Sequence, residues 1–264
     1  MSRFQIANVL YIAGLAYIAI MGNYINISCQ VYLLFVISYI LMLFFGVVFT
    51  QLNLFVNHEL AGDSRYNEIA ISFDDGPNPE YTEQVLEKLS RYGIKATFFL
   101  IAQKAEKHTD IVKKIVEQGH IIGNHSYYHS KKFDFIKTSA AVEEIEKAND
   151  VLQNIIGKRP NFFRPPFGIT HPNIARAIRQ TKVTPIAWSL RTYDTKRTTK
   201  KVIKLLRRKL NGGDIILLHD NHEGILEILD FLIPYAEQTG FKFVNIDQLL
   251  NLKAYETETD EKSV

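Results

Sequence analysis

The chain has 264 residues, 47% of them apolar and 22% charged, enough for one large domain with a full core or for two small ones. Its 31 basic residues nearly balance 28 acidic ones, for a formal charge of +3, and no arginine-rich stripe runs along it, which argues against a nucleic-acid binder. The single cysteine, Cys29, excludes an intramolecular disulfide framework.

Charge is spread unevenly. Arg3 is the only charged side chain before Glu59. Two apolar blocks fill this region, from about Ile6 to Met21 and from Val31 to about Phe55, separated by the uncharged polar stretch G-N-Y-I-N-I-S-C-Q. A membrane span needs roughly 20 apolar residues. The second block meets that alone, and the first with its flanks. Residues 1–56 are therefore expected to be a membrane region, with transmembrane helices at about 5–25 and 31–55 forming a hairpin. The alternative is a single span, the first block being a signal peptide or a buried helix. One arginine in the n-region and no convincing small-residue cleavage site before the second block count against the signal peptide. Arg3 favours an inside N-terminus, on the strength of one charge. Residues 57–67 read as a linker.

From Glu68 onward, short β-prone runs alternate with amphipathic stretches. E-I-A-I-S-F reads as a strand, and Y-T-E-Q-V-L-E-K-L-S-R-Y-G as a helix with Val85, Leu86 and Leu89 on one face. K-A-T-F-F-L-I is a strand, followed by a helix capped by Thr109 or Asp110. H-I-I-G-N-H is a short strand, and Thr138 to Ile156 a long helix. N-F-F-R (strand), H-P-N-I-A-R-A-I-R-Q (helix) and T-P-I-A-W-S-L (strand) come next. T-T-K-K-V-I-K-L-L-R-R-K-L (helix), D-I-I-L-L-H-D (strand), a helix from Ile225 to Glu237 and F-K-F-V-N-I (strand) complete the pattern. Residues 68–250 thus form one α/β domain, and the polar tail 251–264 is expected to be disordered.

About seven strands in about 190 residues fit a (β/α) barrel better than an open sheet. Loops after the strands then form the active face. Asp74 and Asp75 follow the first strand, His125 the third and Arg164 the fourth. Arg191 and Asp194 follow the fifth, and His219 and Asp220 the sixth. Packing alone does not explain so many polar residues at strand ends.

These residues suggest a chemistry. His125 and His129, four apart in N-H-S-Y-Y-H, share a face if the segment is helical, and two histidines with one carboxylate can bind a metal and leave positions open. A divalent ion held so activates water near neutral pH. In S-F-D-D-G-P, adjacent side chains on an extended chain point to opposite sides. One aspartate can then bind metal while the other acts as base. The plainer reading of D-D-G-P-N-P is a turn with a helix cap, which leaves the histidine pair unexplained. Arg164 in F-F-R-P-P-F-G can orient a carboxylate through its rigid fork, or form a surface ion pair. The Pro-Pro-Phe-Gly backbone can offer an N–H to an oxyanion. A lone His219 at the end of an apolar strand is often a satisfied core group. Beside a metal site it becomes a candidate acid.

In order, S-F-D-D-G-P, H-S-Y-Y-H, R-P-P-F-G and I-L-L-H-D resemble the polysaccharide deacetylase family, carbohydrate esterase family 4, with its NodB homology domain. The resemblance runs from about Glu68 to Ile246 and implies a distorted (β/α)7-8 barrel that removes acetyl groups, usually N-acetyl, from sugars. By motif match, Asp74 is implied as base and Asp75, His125 and His129 as ligands of one divalent ion, zinc first, with cobalt, nickel or manganese open. Arg164 orients Asp74, the Phe167 N–H serves the oxyanion, and His219 is the acid. Trp188 and Leu218 line the acetyl pocket, unless they are ordinary core.

One motif departs. The family often has Asp-x-x-Asp-Trp where this chain reads R-T-Y-D-T. Arg191 replaces the first acid, Asp194 matches the second, and Thr195 replaces the aromatic. Asp194 is expected to tune His219. Arg191 either meets an anionic substrate, such as a lipid phosphate or acidic sugar, or makes a structural salt bridge. The expected substrate is a polysaccharide or peptidoglycan amino sugar. A membrane lipid-linked sugar is the alternative, and a non-catalytic carbohydrate-binding member a further one. Family analogy places the domain outside the cytoplasmic membrane, against the weak pull of Arg3.

Overall fold

The structure is a computed structural model that describes residues 2–256. Two apolar helices lead. In α1 (Arg3–Met21), Ser2 and Gln5 each accept from the other's backbone N–H in a capping box. Ser28 caps α2 (Cys29–Val48). With 19 and 20 residues, both are long and apolar enough to cross a bilayer, and their apolar side chains are largely exposed. Tyr39 Oη donates to Asn8 at 2.8 Å, and the Tyr11 ring packs on Phe35 and Tyr39. The second helix stops short of the expected end near Phe55. Phe49 is extended, a 3-10 turn follows at Thr50–Leu52, and Phe55 is buried against Phe4.

The expected linker is built into the domain. Glu59 bridges Ile186, Ala61 bridges Asp214, and the His58 ring is buried between Asn53 and Thr170. The Thr170 N–H also donates to Val47 O at 3.2 Å, joining the end of α2 to a loop of the domain.

Eight short strands form one parallel sheet: β1 (Glu68–Gly76), β2 (Thr97–Leu100), β3 (Ile121–Asn124), β4 (Phe162–Phe163), β5 (Thr184–Pro185), β6 (Leu190–Arg191), β7 (Ile215–His219) and β8 (Lys242–Phe243). Their order is β5-β4-β3-β2-β1-β7-β6, with β8 pairing the first residues of β1. The two edge strands, β5 and β6, are the ends of one run, residues 184–191. The sheet therefore curls on itself into the expected distorted (β/α) barrel. The single fifth strand of the sequence reading is split, because the middle of that run leaves the ladder. There the Ile186 N–H donates to Phe163 O and the Ala187 N–H to Glu59 O, while Arg164 takes the Ile186 and Ala187 carbonyls.

The connecting helices are α3 (Thr82–Arg91), α4 (Ala102–Lys107), α5 (Thr109–Glu117), α6 (Thr138–Ile156), α7 (Pro172–Thr181), α8 (Thr199–Lys209), α9 (Gly224–Gln238) and α10 (Ile246–Leu250). Three expectations need correction. His108, with no side-chain cap, precedes α5 in place of a Thr109 or Asp110 cap. The last strand is only two residues long, and Ile246 opens α10 on an Asn245 capping box. The tail is ordered to Glu256: Ala254 O accepts from Asn161 N–H, and Tyr255 Oη accepts from Ile122 N–H. A buried Ala254 and a half-buried Tyr255 fix it; residues 257–264 of the expected disordered tail lie outside the described residues.

Strand alternation sorts the core into two layers. Ile69, Ile71, Phe73, Phe98 and Leu218 pack outward under the helices. Ala70, Phe99, Phe162, Trp188, Ile215 and Leu217 pack together in the second layer, inside the barrel.

Candidate active site

The same alternation turns Ser72 and Asp74 inward from β1. There they meet Arg164, a fully buried cation. Its Nη1 donates to Asp74 Oδ1 at 2.6 Å and to Ser72 Oγ at 2.8 Å, and Nη2 donates to Ala187 O at 2.8 Å. The guanidinium carbon sits 3.9 Å from the Phe99 ring centroid. Arg164 is thus no surface ion pair. Its planar fork serves a carboxylate and two carbonyls at once, which a lysine's point charge cannot do.

The opposite-sides expectation for the aspartate pair fails at the end of β1. Asp75 has φ 70°, and the register with β2 slips between Asp74 and Gly76. This bulge brings Asp75 round to the site of Asp74. Both carboxylates approach His125 Nε2, Asp74 Oδ2 at 3.8 Å and Asp75 Oδ1 at 3.6 Å.

The two histidine rings come together, but not on a helical face. Residues 125–129 are a loop, with left-handed backbone at Ser126 (φ 64°) and His129 (φ 51°), and no helical face relates the rings. Glu144 holds that loop through the Tyr127 and Tyr128 N–H groups, and the ring centroids come to 4.7 Å. His125 Nδ1 donates to Arg164 O at 2.7 Å, which fixes the ring with Nε2 turned toward the site. His129 Nε2 lies 3.3 Å from Asp75 Oδ1. Ligand atoms of Asp75, His125 and His129 all fall within 4.8 Å of one another. Burial, with the neighbouring His125, pushes His129 down to about 4, so its ring is neutral at pH 7. Burial favours a neutral Asp75, but the neighbouring His125, with His129 and His219, outweighs it and holds the carboxyl below the usual range. Two imidazoles and one carboxylate fit a divalent cation with open positions.

Across Asp75 lies His219, its Nε2 3.9 Å from Asp75 Oδ2. His219 Nδ1 donates to Asp194 Oδ1 at 2.9 Å, and the His219 N–H donates to Asp194 Oδ2 at 2.7 Å. His222 Nε2 stands 3.1 Å from Asp194 Oδ2, a partner the sequence reading missed. Burial lowers the His219 pKa, but Asp194, with Asp74 and Asp75 behind it, raises it to about 9. Above its ordinary value of 6.5, the protonated ring is stabilised only in the folded state, so its contribution is complete below pH 6.5 and is lost as pH rises through about 9. Asp194→Asn is expected to lower stability at pH 7 and to leave little difference from wild type at pH 10. Melting curves at the two pH values measure this.

Asp74, Asp75, His125, His129 and His219 share a cleft of ≈ 260 Å³ with Phe167, Gly168, Trp188, Arg191, Tyr193, Thr195, Lys196 and Leu217. Leu218, expected to line it, packs instead under the helices. His219 faces inward, so Leu217, two residues back on β7, shares its side; that parity is visible in I-L-L-H. Asp220 is buried beneath, bonded by Thr82 Oγ1, and burial pushes its carboxyl up to about 6.

The wall of the cleft depends on Gly168. Phe167 (φ 59°) and Gly168 (φ 68°) are both left-handed, and the Phe167 ring packs 4.6 Å from His129. A Cβ on Gly168 would lie 2.2 Å from Trp188 Cη2. Gly168→Ala is expected to cost about 1–3 kcal/mol through overpacking and a disfavoured φ. Trp188 is the only tryptophan, so a shifted emission maximum reports the displaced ring directly.

The profile of the polysaccharide deacetylase family matches residues 61–186. A peptidoglycan-N-acetylglucosamine deacetylase of Bacillus cereus is 32% identical over 198 residues, covering 73% of this chain and 71% of that protein. The peptidoglycan-N-acetylmuramic acid deacetylase PdaC of Bacillus subtilis is 29% identical over 192 residues, which span 72% of this chain and 40% of that protein. The crystal structure of the Bc1960 peptidoglycan N-acetylglucosamine deacetylase matches with a TM-score of 0.71 at 31% identity, over 75% of this chain and 95% of that one. The chain belongs to the polysaccharide deacetylase family and is an amide hydrolase of that family.

Proposed function

We propose that this protein removes N-acetyl groups from peptidoglycan amino sugars, using one divalent ion held by Asp75, His125 and His129. The observation that carries the reading is the grouping of three functions in one cleft: a ligand triad, an aspartate clamped by a buried arginine, and a histidine charged by a buried aspartate. The names of the relatives supply the peptidoglycan. Bound there, the ion supplies Lewis-acid polarisation of the acetyl carbonyl and of water, zinc being the first choice.

The chain's own residues do the rest. Arg164 ties down Asp74 Oδ1 and leaves Oδ2 toward the triad to accept the proton of the attacking water. The Phe167 N–H supports the carbonyl oxygen as it gains charge. His219, held protonated by Asp194, gives its Nε2 proton to the departing amine. The C–N bond breaks, and acetate and the free amino sugar leave. Trp188 and Leu217 enclose the acetyl methyl. The two N-terminal helices anchor the domain in the membrane as a hairpin, with the catalytic domain facing the wall outside the cell.

Acetate release by the full-length chain in detergent tests the reading. Peptidoglycan and N-acetylglucosamine oligomers are offered with Zn²⁺ or with chelator. Release that chelator abolishes and metal restores supports it. Release that ignores chelator, or none from any N-acetylated glycan, sinks it.

A further inference from the structure

We propose that Arg191 and Lys196 form an anion subsite in the cleft, so that the preferred substrate is an N-acetyl amino sugar bearing a negative group close to the acetamide. This rests on the deacetylase reading and narrows its substrate.

Arg191 and Lys196 line the same cleft as Asp74, Asp75, His125, His129 and His219. The alternative role for Arg191, a structural salt bridge, is not what the fold contains. Among the described residues no carboxylate pairs with either side chain, and the Arg191 guanidinium makes no hydrogen bond. It lies instead over two aromatic faces, its central carbon 5.0 Å from the Trp188 centroid and 4.8 Å from that of Tyr193. Stacking holds the plane and leaves the five N–H donors unspent. A preorganised guanidinium that loses little freedom on binding is suited to a carboxylate or phosphate. The contrast with Arg164 is informative: one buried arginine spends its donors on the protein, the other keeps them for something else.

The surrounding charge agrees. Eight of the 31 basic residues and none of the 28 acidic ones lie between Thr195 and Gly213. Lys196, in the cleft lining, begins that run, and Arg197 and α8 continue it along the surface. Such a field draws anions toward the cleft and weakens with salt.

A negative group within reach has two chemical sources. One is a carboxylate on an ether substituent at the sugar carbon next to the acetamide, as in N-acetylmuramic acid. The other is the diphosphate of a lipid-linked sugar. Both present oxygen anions to the same donors.

The test compares kcat/KM of the full-length, metal-loaded protein on three substrates. These are a neutral N-acetylglucosamine oligomer, a muramic acid-containing oligomer with its carboxylate free, and a diphospho-lipid-linked N-acetylglucosamine. A preference for one anionic substrate of about tenfold or more is expected, from the strength of one charge-assisted bond. Which one wins names the source. In Arg191→Gln the ratio of anionic to neutral substrate should fall at least fivefold, mainly through KM, with Arg191→Lys recovering part. A ratio near one in wild type, or the same ratio in Arg191→Gln, overturns the subsite. If nothing is deacetylated at all, the deacetylase reading fails by itself. Equilibrium binding of the same three sugars to wild type and Arg191→Gln then decides the subsite separately.

Discussion

Asp74→Asn is expected to lower kcat about 10²–10⁴-fold while the protein still folds and still binds its ion. Asparagine matches aspartate in shape and keeps an oxygen for the Arg164 donor, so the clamp of Ser72, Asp74 and Arg164 survives in outline. What disappears is the carboxylate that accepts a proton beside the triad. The loss of a charge-assisted bond to a buried guanidinium costs about 1–3 kcal/mol of stability in addition. Acetate release under single-turnover conditions measures the chemical step, and a melting curve measures the rest. Full activity in the metal-loaded variant removes Asp74 from the role of base.

The second large effect is on the fold. Arg164→Met is expected to destabilise the domain by about 3–5 kcal/mol, because it strands Asp74 as a buried, unpaired charge. The Ile186 and Ala187 carbonyls lose their donors too, in the stretch where the barrel's closing run has no complete strand partner. Arg164→Lys is expected to recover only part of this, since one ammonium cannot reach a carboxylate and two carbonyls together. Denaturant titration gives the magnitudes. A cycle with Asp74→Asn should show strong coupling, the double variant being less destabilised than the two single losses added. Additive losses would mean that the pair is not the unit described.

Much of this was legible in the sequence, and the failures have physical causes. Period-two runs ending in polar residues placed Asp74, His125, Arg164 and His219 at one end of a parallel barrel, because a strand's end is a local property. His125 and His129 came together as expected, yet through two left-handed residues in a loop rather than a helical turn. The spacing of four was compatible with both. The convergence of Asp74 and Asp75 needed a bulge, which depends on the register with β2 and leaves no mark in D-D-G-P. Leu217 was within reach of the sequence, since parity with His219 selects it over Leu218. His222 and Lys196 were not, because loops bring them in. The split of residues 184–191 was hidden for a similar reason: its cause is an arginine from another strand. Composition read 57–67 as linker and 251–256 as tail, yet both supply backbone hydrogen bonds to the sheet's margins.

The most direct measurement is metal content beside acetate release, on the full-length chain, for wild type, Asp74→Asn and His125→Ala. The account predicts one divalent ion per chain in wild type and Asp74→Asn, weak or no retention in His125→Ala, and acetate only from wild type. An active His125→Ala protein without metal would contradict it, and so would an Asp74→Asn protein that cannot hold the ion while His125→Ala still does.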